Sequence, residues 1–196
     1  MRLFAALDPP ADVVDALREA VDRGRRHDPG LRWSGPRDWH LTLVFLGEVD
    51  EERLPALTDA LGGEVRAHRP LCLAAHGWGT FPPGGGRSSV LWAGLDGDTE
   101  ALGALADGLR AAAAGTGVPV EQRPYVPHIT VARSRPARDL TDTVRALGPL
   151  RSRMWRAHEV RLVESRAGKE DRYRTVRTWA LGWGTDSTPS PERSTS

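Results

Sequence analysis

The chain has 196 residues, 39% of them hydrophobic and seven of them Trp, enough for one domain or two tightly packed lobes. Its formal net charge of +1 excludes a protein that coats nucleic acid through many non-specific phosphate contacts, but permits a small site that reads an end. A single cysteine, Cys72, excludes an internal disulfide and a cysteine-based metal site, and no apolar run approaches the ~20 residues of a membrane span.

Leu3 to Leu7 reads as a short strand, ended by Pro9-Pro10. Asp12 to Arg26 follows as an amphipathic helix with Val13, Val14, Leu17 and Val21 on one side. Arg32 to Ser34 reads as a brief strand leading through Gly35-Pro36 into an apolar strand that Gly47 closes. Asp50 is placed to cap a helix over Glu51 to Ala67, with Leu54, Leu57 and Leu61 inward. Leu71 to Gly79 and Ser88 to Leu95 read as strands joined by a Pro-Gly loop, Phe81 to Gly86. Cys72, between Leu71 and Leu73, is expected to be a buried thiol. The second half repeats the order. It has a helix over Asp98 to Ala114, a strand around His128, a short helix over Leu140 to Leu147, and strands over Trp155 to Val163 and Tyr173 to Trp183. The segment Thr185 to Ser196 is rich in Ser, Thr and Pro and reads as a disordered tail, leaving residues 1–184 as the folded domain. The N-terminus shows no basic region followed by a long apolar stretch, so a cytoplasmic location is expected.

Two strands carry the same tetrad, His40-Leu41-Thr42-Leu43 and His128-Ile129-Thr130-Val131. Side chains in a strand alternate faces, so each His shares a face with its Thr. Two imidazoles on rigid strands supply an acid and a base, and two hydroxyls can donate to phosphate oxygens where charge builds up. Phosphoryl transfer without a metal needs that set. The pattern does not suit a metal, since His-x-Thr brings no second good ligand and no carboxylate follows closely. Asp38 is the nearest, and reads as structural. The other histidines lack this context: His27 and His68 read as solvated helix ends, His76 and His158 as structural.

Beyond the tetrads, Arg133 is a candidate phosphate ligand, although strict alternation puts it on the Ile129 face unless a bulge intervenes. Tyr125 is the best candidate for stacking on a base. Phe45 and Trp39 are further aromatics near the motifs, with core packing the stronger expectation for Phe45. Arg87, beside the Gly-rich loop, is a weaker RNA-contact candidate.

The chain resembles the bacterial and archaeal RNA 2′,3′-cyclic phosphodiesterases, or 2′-5′ RNA ligases, of the two-histidine phosphoesterase superfamily. The resemblance rests on both tetrads, on Arg2 to Asp8, on His-Leu-Thr-Leu-Val-Phe-Leu-Gly from His40 to Gly47, and on Phe81-Pro82. It extends through Val90 to Leu95, Pro127 to Arg133, Leu162 to Ser165 and Tyr173. It implies an α+β fold: a two-lobed duplicated unit with pseudo-twofold symmetry, antiparallel sheets lining a central cleft and helices outside. It implies hydrolysis of 2′,3′-cyclic phosphate ends to 2′-phosphates, with His40 as proton donor to O3′ and His128 as acceptor from water. Thr42, Thr130 and Arg133 would hold the phosphate. A 5′-hydroxyl replacing water would form a 2′-5′ linkage, reversibly. The resemblance implies no cofactor, no metal and no obligate protein partner, and a monomer acting on RNA ends. Near-symmetry leaves the acid and base roles unassigned by the residues themselves. Two alternatives stay open: an enzyme for small cyclic nucleotides or 2′-5′ oligoadenylates, and a non-catalytic module that binds RNA ends.

Overall fold

The computed structural model describes residues 1–84, 86–166, 168 and 171–182. The expected tail, the end of the last strand at Trp183, and Gly85 of the Gly-rich loop lie outside the described residues. The elements in order are β1 (Arg2–Leu7), α1 (Ala11–His27), β2 (Arg32–Trp33), β3 (Leu41–Glu48), α2 (Leu54–Ala67), β4 (Leu71–Phe81) and β5 (Ser88–Gly97). Then come α3 (Thr99–Gly115), β6 (His128–Arg138), α4 (Thr141–Leu147), β7 (Trp155–Ala157), β8 (Glu159–Ser165) and β9 (Tyr173–Ala180).

Apolar spacing of three and four buries one side of each long helix: Val13, Leu17 and Val21 in α1, Leu57, Leu61 and Val65 in α2, Leu102, Leu105 and Leu109 in α3. A 3-10 turn, Glu51–Arg53, precedes α2, and the Asp50 side chain makes no capping bond. The nine strands form one curled antiparallel sheet in the order β7-β4-β5-β6-β3-β1-β8-β9, with β2 beside β6. Helix α1 packs on α4 and α2 on α3.

The order is symmetric about the β6–β3 junction, which confirms the two-lobed duplicated plan. The lobes, however, are not the two halves of the chain. Strands β4 to β7, from the middle, build one sheet half; β1, β3, β8 and β9, from the two ends, build the other. This explains why the expected strand Trp155 to Val163 is broken at His158. Its first part pairs with β4, and its second pairs with β1 in the opposite lobe.

Alternation separates two sheet faces. Leu3, Ala5, Leu7, Leu41, Leu91, Ile129 and Leu162 point into the main core under the helices. Phe4, Ala6 and Val163 point the other way and cluster with Tyr173. The same alternation corrects the reading of Cys72. Its neighbours Leu71 and Leu73 are buried, so its own side chain turns outward and is exposed. No helix among the described residues is long and apolar enough to cross a membrane.

The lobes meet where β3 pairs β6 at one position, Leu41 opposite Ile129, and both side chains are fully buried. Leu41→Ala should therefore cost about 2–5 kcal/mol in urea denaturation, and Ile129→Ala a similar amount. Phe45→Ala, on the opposite face of β3, should cost less than about 1 kcal/mol.

Candidate active site

The Leu41–Ile129 pairing sets the positions of the motif residues. Continuing that antiparallel register one residue each way puts His40 across from Thr130 and Thr42 across from His128. All four then leave the sheet on the face opposite the buried pair. Their outer neighbours are small where room is needed: Thr42 stands opposite Ala6, and His128 opposite Gly94.

Each imidazole sits against two aromatic rings. His40 stacks on Phe4 at 4.7 Å between centroids and meets Tyr173 edge-on at 5.1 Å. His128 meets Phe81 edge-on at 5.0 Å and Trp92 at 5.8 Å. Trp92 reaches this place over Gly79, where an added Cβ would collide with the indole. The rings are also fixed by hydrogen bonds of the same kind. His128 donates from Nδ1 to the Val126 carbonyl at 2.8 Å, and His40 donates to the Asp38 carbonyl, each two residues back. One ring nitrogen is thus occupied and the other is left for a substrate.

Burial lowers the pKa of both groups. His40 falls from 6.5 to about 4, through burial first and then the positive charge of Arg161, against the opposing Asp38 hydrogen bond. His128 is also lowered, by burial first and by Arg133. Both imidazoles are therefore neutral near pH 7 in the free protein. Arg161 is held by Asp8 and by the Thr175 hydroxyl, and lines a cavity of about 290 Å³ that opens beside His40.

The hydroxyls of Thr42 and Thr130 have no protein hydrogen bond among the described residues. Arg133 lies on the histidine face because β6 carries the bulge that alternation requires. Leu91 pairs with Ala132 but Trp92 with Thr130, so Val131 is the extra residue and Arg133 returns to the face of His128. Val131 and Ala132 are accordingly both buried.

Tyr125 stands differently from its expected stacking role. Its ring packs against the main core, and its hydroxyl donates to the Thr42 carbonyl at 3.0 Å, so it braces the first motif strand. Trp39 is 4% exposed and donates to Ser34, a core residue at the cavity edge. Phe45 reverses its expectation. Shifts in the β1–β3 register turn it to the site face opposite Phe4, where it is 58% exposed. Arg87 sits in the β4–β5 connection. His68 bonds Glu64 at 2.7 Å and so is not freely solvated. Residues the motif reading missed are Phe4, Tyr173, Trp92, Arg161 and Arg172. Their signal in the sequence was weak, since each lies on or beside a strand far in sequence from the histidine it serves. Among the described residues no three His, Cys, Asp or Glu side chains are grouped to hold a metal ion.

The sequence model of the 2′-5′ RNA ligase superfamily matches residues 7–169. An RNA 2′,3′-cyclic phosphodiesterase of Escherichia coli is 33% identical over 92% of this chain and 96% of its own length. One from Thermotoga maritima is 32% identical over 68% of this chain and 70% of its own. The crystal structure of Escherichia coli LigT complexed with 3′-AMP superposes with a TM-score of 0.75 at 29% identity, covering 93% of this chain and 98% of that one.

A histidine held below its ordinary pKa binds its proton more weakly in the folded than in the unfolded chain. Its share of stability is complete above pH 6.5 and is lost as the pH falls through the folded value near 4. Histidine C2–H titration by NMR should show a His40 midpoint near 4 that rises when inorganic phosphate is added and in Arg161→Gln. A midpoint near 6.5 in the free protein would contradict this account of the site.

Proposed function

The chain belongs to the 2′-5′ RNA ligase superfamily, and on that premise we propose that it hydrolyses RNA 2′,3′-cyclic phosphate ends to 2′-phosphomonoesters by two-histidine acid/base catalysis. The observation that carries the reading is the pair of neutral, ring-braced imidazoles flanked by two unengaged threonine hydroxyls on one sheet face.

His128, with Nδ1 committed to Val126, takes a proton from water at its other nitrogen as the oxygen attacks phosphorus. The P–O3′ bond breaks, and His40 gives its proton to O3′. The product keeps its phosphate on O2′, and the two histidines exchange protons with water to reset. His40 must be charged for its step, yet burial and Arg161 keep it neutral in the free protein. An anionic phosphate between the rings favours the imidazolium, so substrate binding and charging of the acid are coupled. Thr42, Thr130 and Arg133 donate to the non-bridging oxygens, where charge builds up. Phe45, exposed beside Phe4, offers a face to a base. With a 5′-hydroxyl in place of water, the same steps join two ends by a 2′-5′ linkage, O3′ again leaving with the proton from His40, and run in reverse they cleave that linkage. The reading includes a monomer without a metal or other cofactor, working on RNA ends in the cytoplasm.

Turnover of an oligoribonucleotide ending in a 2′,3′-cyclic phosphate, measured in EDTA, should persist in the wild-type protein. It should fall about 10²–10⁴-fold in His40→Ala and in His128→Ala, while binding of the end changes much less. Wild-type protein that binds the end without turning it over would replace the enzyme by a binding module. Loss of turnover in EDTA that added metal restores would overturn the two-histidine mechanism.

A further inference from the structure

Arg32 and Arg133 stand directly opposite each other where β2 pairs β6. Their neighbours Trp33 and Ala132 form the next pair and turn inward, so both guanidiniums leave from the cleft face. Like charges opposite each other on a sheet face are destabilising. Arg135 is exposed two residues further along β6, with Ser134 buried between them. Arg172, from the β8–β9 connection of the other lobe, lies 5.3 Å from the centroid of Tyr173, the ring that meets His40. The guanidiniums of Arg172, Arg135 and Arg32 each add positive charge around Arg133.

Among the described residues none of these four arginines has an ion pair or a side-chain hydrogen bond. Three nearby arginines do. Arg138 pairs with Asp28, Arg161 with Asp8 and Arg174 with Glu164. These three neighbours are neutralised, while the four arginines above stand without a counter-charge, as do Arg37 at the cavity beside His40 and Arg166 beside Arg172. General basicity does not explain this, because the whole chain carries a net charge of only +1.

One phosphate at the histidines accounts for Arg133. The remaining three need more negative charge than a nucleoside 2′,3′-cyclic monophosphate brings, since that ligand carries a single one. A strand of RNA carries one more for each further nucleotide, and planar guanidinium forks suit phosphodiester oxygens. We propose that Arg32, Arg135 and Arg172 form a track for the phosphodiesters next to the reacting end, and so make the site select RNA strand ends over mononucleotides. This rests on the phosphodiesterase reading and assigns the residues that read the strand beyond its reacting end.

The test is fluorescence anisotropy with a labelled single-stranded oligoribonucleotide ending in a 2′-phosphate, titrated at several salt concentrations. It compares the full wild-type chain with Arg32→Gln, Arg135→Gln and the double variant. Each lost contact should lower the slope of log Kd against log salt by about 0.7. Binding at low salt should weaken several-fold per substitution. Turnover of a nucleoside 2′,3′-cyclic monophosphate should stay within about twofold of wild type. The urea midpoint of Arg32→Gln should not fall, because a like-charge pair is relieved. Unchanged salt slopes would overturn the track. So would mononucleotide turnover falling in step with RNA binding, which would assign these arginines to the scissile phosphate or to the fold. If the wild-type protein turns over neither substrate, the phosphodiesterase reading fails, while the salt slopes still decide whether the track exists.

Discussion

One backbone pairing governs the site. Leu41 and Ile129 join the two lobes at the seam of the sheet, and both side chains are buried in the core below. Because a strand alternates with period two, burying this pair sends His40, Thr42, His128 and Thr130 to the other face together. A slip of one residue in either strand would bury a histidine and its threonine and expose the leucine or isoleucine. The cost of that exchange is what keeps the register. Two motifs 88 positions apart, from 40 to 128, therefore arrive as one constellation without any direct contact between their side chains having to hold them.

The surroundings of each imidazole follow from the same sheet. Phe4 and Trp92 come from the strands flanking the seam, Phe81 and Tyr173 from strand ends further out. These rings remove water from the histidines and push their pKa values down, and Arg161 adds to the effect at His40. The cleft is thus a place where positive charge is already plentiful and imidazoles stay neutral. An incoming phosphate changes the balance. It neutralises the arginines and favours protonation of His40, the proposed acid. Electrostatics here serve recognition and catalysis together, while repulsion between neighbouring arginines such as Arg32 and Arg133 works against the stability of the free fold.

Much of this was legible in the sequence, for a physical reason. The elements follow from apolar periodicity, and the paired tetrads point to one site because alternation is local. The bulge at Val131 was foreseen only as a condition on Arg133, since an extra residue in a ladder leaves no mark in composition. Phe45 was misread because register shifts between β1 and β3 reverse which residues face the core. The stretch Trp155 to Val163 looks like one apolar strand, and nothing local announces that its two parts pair in different lobes. Tyr125 looked like a stacking platform because it precedes the second motif; the hydrogen bond that commits it is to Thr42, 83 residues earlier. The lowered pKa of His40 depends on Phe4, Arg161 and Tyr173, which only the tertiary fold brings near.

The central claim is that the two histidines flank a single phosphorus from opposite sides, His40 on the ribose O3′ side and His128 on the water side. A crystal structure with a nucleoside vanadate, whose five-coordinate metal centre mimics the transition state, tests it directly. The account predicts the free ring nitrogen of His40 within hydrogen-bond reach of the apical ribose O3′, that of His128 within reach of the opposite apical oxygen, and Thr42 and Thr130 on equatorial oxygens. Both imidazoles on the same apical oxygen, or either one confined to equatorial oxygens, would contradict it.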